Sequence, residues 1–157
     1  KWYELQANPS LKILDSFTKE KIVWGELSDK AKFVYEPNGY YLDATVFLMI
    51  GKDIKYILAI LNSRLGQWYF EQISTSSGMG TNRWKKYKIE TFPIKKNQEK
   101  TEDIINATND ILDITSVHNY DPKNPPEKQR IIEIKIDEMV MNLYELTDEE
   151  KEIIRNS

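Results

Sequence analysis

Thr45-Val46-Phe47-Leu48-Met49-Ile50-Gly51-Lys52-Asp53-Ile54-Lys55-Tyr56-Ile57-Leu58-Ala59-Ile60-Leu61 carries two different hydrophobic patterns, one on either side of Gly51. Thr45 to Ile50 is a β-branched and aromatic run that suits a strand. From Asp53 onward, Ile54, Ile57, Leu58, Leu61, Leu65, Trp68 and Tyr69 recur at spacings of three and four. That spacing predicts an amphipathic helix reaching about Ile73, with Asp53 as its N-cap. Gly66 inside it costs about 1 kcal/mol relative to Ala, which burial of Leu65 and Trp68 offsets. A strand that hands over to a helix predicts a mixed, α+β chain.

Upstream of this stretch, Ile22-Val23-Trp24 and Phe33-Val34-Tyr35 read as strands. Glu36-Pro37-Asn38-Gly39 has turn chemistry, so Tyr40-Tyr41-Leu42 is expected to return as the second arm of a hairpin. The result is a small, aromatic-rich sheet. Downstream, a polar segment from Ser74 to Asn82 opens into Arg83-Trp84-Lys85-Lys86-Tyr87-Lys88, and a short apolar segment ends at Phe92-Pro93-Ile94. A helix then follows from about Thr101 to Thr115, with Glu102 and Asp103 in its first turn. Pro125-Pro126 starts another helix through Ile132, Ile136, Met139, Val140 and Leu143, and Thr147-Asp148-Glu149-Glu150 is a capping box that opens a last one.

Composition bounds the chemistry. The 157 residues contain no Cys and one His, which excludes thiol catalysis, zinc fingers, iron–sulfur clusters and three-His metal sites. A chain of this length can bury a sizeable core without disulfide or metal staples, and one domain is expected. The longest apolar run falls far short of the ~20 residues that span a bilayer, which predicts a soluble chain. Lys1-Trp2-Tyr3-Glu4 offers neither an initiator Met nor a signal sequence, so the chain reads as the C-terminal part of a longer polypeptide.

Charge is distributed unevenly. Residues 1–100 hold 16 Lys+Arg and 11 Asp+Glu, whereas residues 101–157 hold 6 and 14. Arg83 to Lys96 alone carries six cations against Glu90, so a local positive field exists despite a net charge of −3. Residues Ser76, Ser77, Gly78, Thr81, Asn82, Arg83, Trp84, Lys85, Lys86, Tyr87 and Lys88 combine the elements of a nucleic-acid contact. Glycine lets backbone approach a phosphate, short polar side chains reach phosphates or base edges, and cations release counterions. Trp84 and Tyr87 are candidates for stacking or wedging. The competing reading is a solvated connector with Trp84 in the core.

Other constellations are weaker. Asn124-Pro125-Pro126-Glu127 approaches the Asn-Pro-Pro-Tyr signature of amino-methyltransferases, but Glu127 stands where the aromatic ring belongs, and two prolines suit a helix start. Asp121, Glu133 and Lys135 imitate a metal-nuclease pattern, yet on a helix Glu133 and Lys135 point in different directions. His118 near Ser116 lacks an oxyanion loop, and Gly78-Met79-Gly80 lacks the Gly-Lys-Ser/Thr of a phosphate-binding loop. A rival of another class is a helical protein-interaction module, with Ile132, Ile136, Met139 and Leu143 as its partner-binding stripe.

Taken in order, Ile22-Val23-Trp24-Gly25-Glu26-Leu27-Ser28, Gly39-Tyr40-Tyr41-Leu42, Tyr56-Ile57-Leu58-Ala59-Ile60-Leu61-Asn62-Ser63, Gly80 to Tyr87 and Phe92-Pro93-Ile94 form a recognisable series. It resembles the TaqI-like C-terminal specificity domain of type IIG restriction-modification enzymes, and the tail from Ile136 to Glu150 looks like the ending of the same proteins. The resemblance implies a target recognition domain with irregular β structure and an α-helical hairpin. It would occupy 1–157, with a DNA-reading part at 1–99 and a helical part at 100–157. Such a domain reads double-stranded DNA for an adenine-N6 methyltransferase, in some proteins fused to an endonuclease, and is not itself catalytic. The implied partners are DNA and an upstream methyltransferase domain; the methyl donor S-adenosylmethionine, and any magnesium for cleavage, would bind in those other domains. A bacterial or archaeal, cytoplasmic protein is expected. Arg83 suits guanine and Asn82 suits adenine, while Lys85, Lys86 and Lys88 suit phosphates.

Overall fold

A computed structural model describes residues 11–37, 39–42, 45–74 and 82–157, with the backbone alone described at 11–13 and 82. In chain order the elements are α1 (Leu11–Phe17), β1 (Lys21–Gly25), β2 (Leu27–Ser28), β3 (Val34–Glu36), β4 (Val46–Met49), α2 (Ile54–Asn62), α3 (Arg64–Ile73), β5 (Asn82–Arg83), α4 (Lys86–Ile89), α5 (Gln98–Thr115), α6 (Glu127–Leu143) and α7 (Asp148–Arg155). The α+β expectation holds.

Ile22 and Trp24 are buried, which gives β1 the most apolar face of the strands and puts it at the centre of a three-stranded sheet ordered β3-β1-β4. Both neighbours run antiparallel to it, with Ile22 opposite Tyr35 on one side and opposite Met49 on the other. The hairpin expected between 33–35 and 40–42 does not form: Tyr40, Tyr41 and Leu42 are not in a strand, and β3 pairs with β1 instead. A buried ion pair explains the choice. Lys21 and Glu36 face each other across β1 and β3, Nζ to Oε2 at 2.5 Å, and the same carboxylate oxygen accepts the Tyr40 N–H at 3.3 Å. Gly39, at φ 78°, turns the chain away, a backbone conformation that costs glycine nothing. Sequence reading also missed the second sheet, β2 paired with β5, because each strand is only two residues long.

The helix expected from Asp53 to Ile73 is two helices. Ser63 is extended (φ −68°, ψ 160°), ending α2 and capping α3: its Oγ donates to the Ile60 carbonyl at 2.8 Å and accepts the Gly66 N–H at 3.1 Å. Asp137 of α6 accepts the Arg64 N–H at 2.8 Å, so a distant carboxylate satisfies another of the first N–H groups of α3. Asp53 does precede α2, but in a left-handed conformation and without a capping bond from its side chain. Gly66 is therefore more than a tolerated helix breaker. A Cβ there would lie 2.3 Å from the Ile60 carbonyl oxygen and 2.8 Å from that of Leu61, both backbone atoms that cannot swing aside. Gly66→Ala is accordingly expected to destabilise the fold by about 1–3 kcal/mol in urea denaturation, where helix propensity alone would have stabilised it. An unchanged midpoint would show that the break relaxes freely.

α2 links the layers, packing on β1 and β3 as well as on α5. Asn62 at its end holds both backbone groups of Phe33, accepting the N–H at 3.0 Å and donating to the carbonyl at 2.8 Å. α5 begins at Gln98 with Asn97 as its cap, earlier than expected. Lys100 near its start reaches the Asn142 carbonyl near the end of α6 at 3.1 Å, so the two helices form an antiparallel hairpin. The Thr147–Glu150 capping box opens α7 as expected. Among the described residues a buried apolar cluster runs from Ile22 to Ile154.

Candidate nucleic-acid interface

The basic segment begins on the two-residue strand β5, which ends at Arg83. Just past its end Trp84 turns inward, while Arg83 and Lys85 stay at the surface and the Lys85 N–H closes back on the Arg83 carbonyl at 2.8 Å. Trp84 is 2% exposed, stacked on Phe70 with centroids 3.8 Å apart and planes at 6°, and meets Phe33 edge-on at 5.5 Å. Its indole N–H donates to the Ser28 carbonyl at 3.2 Å, its backbone N–H donates to the Glu26 carbonyl at 2.7 Å, and its carbonyl accepts the Trp24 indole N–H at 2.9 Å. The stacking role considered for Trp84 is thus corrected. The ring lies within the core and anchors the two cations on either side of it.

Glu26, just after β1, lies opposite that surface. Arg83 Nη1 and Lys85 Nζ both reach its Oε1, at 3.1 and 2.5 Å. The hydrogen bond from Lys85 leads the effects that hold the Glu26 carboxyl below the usual carboxylate range; desolvation opposes it, and the charges of Lys85 and Arg83 assist. Two cations on one anion leave a net positive charge. Sequence reading missed Glu26 as a site residue; the available signal was an isolated acid directly after an apolar strand.

The remaining expected contacts divide. Lys86 is exposed and pairs loosely with Glu90 at 3.5 Å, one helical turn on. Tyr87 is 61% exposed and its ring is open to a ligand. Lys88 differs from expectation, since its ammonium donates to the carbonyl of Ile73, the last residue of α3, where a cation complements the helix end. The Asn82 backbone pairs with Ser28, while Ser76, Ser77, Gly78 and Thr81 lie outside the described residues.

Competing constellations come apart. Glu133 and Lys135 sit exposed on α6, and Asp121 is occupied in a local turn, accepting from the Lys123 N–H at 2.9 Å and the Asn124 amide at 2.8 Å. Among the described residues no cluster of His, Cys, Asp and Glu could hold a metal ion. His118 is exposed in the loop between α5 and α6. Ile132, Ile136 and Leu143 are buried and Met139 half-buried, so the stripe read as partner-binding is used up inside the domain. No helix among the described residues is long and apolar enough to cross a membrane.

Compared with known proteins, residues 1–94 match the sequence model of one family, described as the TaqI-like C-terminal specificity domain. No curated protein matches the chain.

Proposed function

Since the chain belongs to the family of TaqI-like C-terminal specificity domains, we propose that the Arg83–Lys85 segment and the start of α4 form its DNA-reading surface. A specificity domain of this kind is a DNA-recognition part of restriction-modification enzymes and is not itself catalytic. The finer reading is that it serves an adenine-N6 methyltransferase, whose S-adenosylmethionine site and chemistry lie in another domain, as would any magnesium-dependent cleavage centre. Neither cofactor is assigned to residues of this chain. Arg83 is the base reader, with a planar fork that matches the O6 and N7 acceptors of guanine; Lys85 and Lys86 meet phosphates, and Tyr87 covers sugar or base.

The observation that carries this reading is the alternation of burial at 83–85, where one buried tryptophan anchors a hydrogen-bonded backbone segment with a surface cation on either side. Cations on a flexible backbone lose conformational entropy when they settle on DNA, and cations on an anchored one lose less. Fluorescence anisotropy with duplex DNA between ~50 and ~200 mM salt tests it. The wild-type chain is expected to bind with strong salt dependence, and the triple variant Arg83→Ala/Lys85→Ala/Lys86→Ala to bind at least about tenfold more weakly at the low-salt end. Equal binding by the two chains would move the DNA contact elsewhere.

A further inference from the structure

A surface selected only to grip a polyanion would leave its cations free, and here two of them converge on an anion. Arg83 Nη1 and Lys85 Nζ share one oxygen of Glu26, whose side chain is 31% exposed. The arrangement does not depend on mobile side chains alone, because the three backbones belong to one junction. The Glu26 carbonyl accepts the Trp84 N–H at 2.7 Å, and Leu27, the next residue, pairs with Arg83 across β2 and β5.

Glu26 engages one N–H of the Arg83 guanidinium, which has five. The carboxylate can therefore restrain the guanidinium on one side and leave donors for a second ligand. The same oxygen offsets the charge of Lys85, which as a point charge would otherwise favour any phosphate whatever the sequence. Repulsion between Glu26 and DNA is the same for every sequence. The benefit of an oriented fork appears only where a matching base edge lies opposite.

We propose that Glu26 is a specificity-determining residue of this surface, aiming Arg83 at a base edge and suppressing the non-specific phosphate affinity of Lys85. The proposal rests on the DNA-reading function above and adds to it a residue whose charge opposes DNA.

The test compares the wild-type chain, Glu26→Gln and Arg83→Ala. Each is used to select from a library of randomised duplexes, and each is titrated with one random-sequence duplex from ~50 to ~200 mM salt. Glu26→Gln retains the backbone carbonyl that binds Trp84, and a thermal melt confirms that it folds. It is expected to bind the random duplex more tightly than wild type at low salt. Across the salt range its affinity should fall about three- to fourfold further than wild type, the signature of one added phosphate contact. Its selected motif should blur at the same base position that Arg83→Ala blurs. Unchanged or weaker affinity for the random duplex, or an intact motif, overturns the role of Glu26 while the DNA-reading function stands. Failure of wild type to bind, or an Arg83→Ala variant that behaves like wild type, overturns that function and the inference with it.

Discussion

Trp84→Ala is expected to lower the free energy of unfolding by about 3–5 kcal/mol, the range for removing a large aromatic ring from a packed core. For a domain whose total stability is of order 5–15 kcal/mol, that removes most of the margin. The loss has two sources. The ring forfeits its stack on Phe70 and its edge contact with Phe33, and the Ser28 carbonyl loses its indole donor. Guanidinium chloride denaturation followed by circular dichroism measures the total. Trp84→Phe separates the sources, because it keeps an aromatic ring on Phe70 and removes only the indole N–H and part of the volume, so it should cost distinctly less. A Trp84→Ala chain that unfolds within about 1 kcal/mol of wild type would contradict the burial of this ring. The same variant is expected to bind DNA poorly even where it remains folded, since the backbone between Arg83 and Lys85 would lose its anchor.

Lys21 carries the second large effect. Its side chain is fully buried and its Glu36 partner is 10% exposed, so neither charge has much water to fall back on. Lys21→Met should cost about 3–5 kcal/mol, because it leaves a carboxylate in the interior without its cation. Glu36→Leu should cost a comparable amount by the converse route. The double variant Lys21→Met/Glu36→Leu is expected to recover much of that loss, since an apolar pair of similar volume avoids desolvating either charge. A double-mutant cycle in urea measures the coupling: the loss in the double variant should fall short of the sum of the two single losses by at least about 1 kcal/mol. Additive losses would mean that the two side chains act independently. The double variant also removes the carboxylate that accepts the Tyr40 N–H, so the connection after β3 should exchange its amide protons faster than in wild type.

How much of this was legible in the sequence depended on the distance over which each feature is decided. The Thr147-Asp148-Glu149-Glu150 box lies within four residues, and its side chains and backbone settle the helix start among themselves. The strand at Val46–Met49 is likewise readable from its β-branched and aromatic residues, and the helix starting at Ile54 from its local period. The break at Ser63 was not, because the apolar spacing continues through it and Asp137, which helps to cap α3, comes from another helix. The Tyr40–Leu42 hairpin was misread for the same reason: the turn chemistry at 36–39 is local, whereas the Lys21–Glu36 pair that assigns β3 to β1 is not. Within the candidate site, a tryptophan among lysines supports both an outward and an inward reading. Phe33 and Phe70, which receive the ring, are far from it along the chain, and this packing rather than the local run decides the question. Glu26 was illegible as a site residue because its importance lies in facing Arg83 and Lys85 across a two-residue sheet.

The alternation at Arg83, Trp84 and Lys85 has an evolutionary consequence. Fold maintenance falls on the middle residue and ligand choice on its two neighbours, so adjacent codons answer to different selective pressures. Replacing the outer pair alters the donor pattern offered to a duplex and leaves the Phe70–Trp84 stack intact. A lineage can therefore try new target sequences in single steps, none of which passes through an unfolded intermediate.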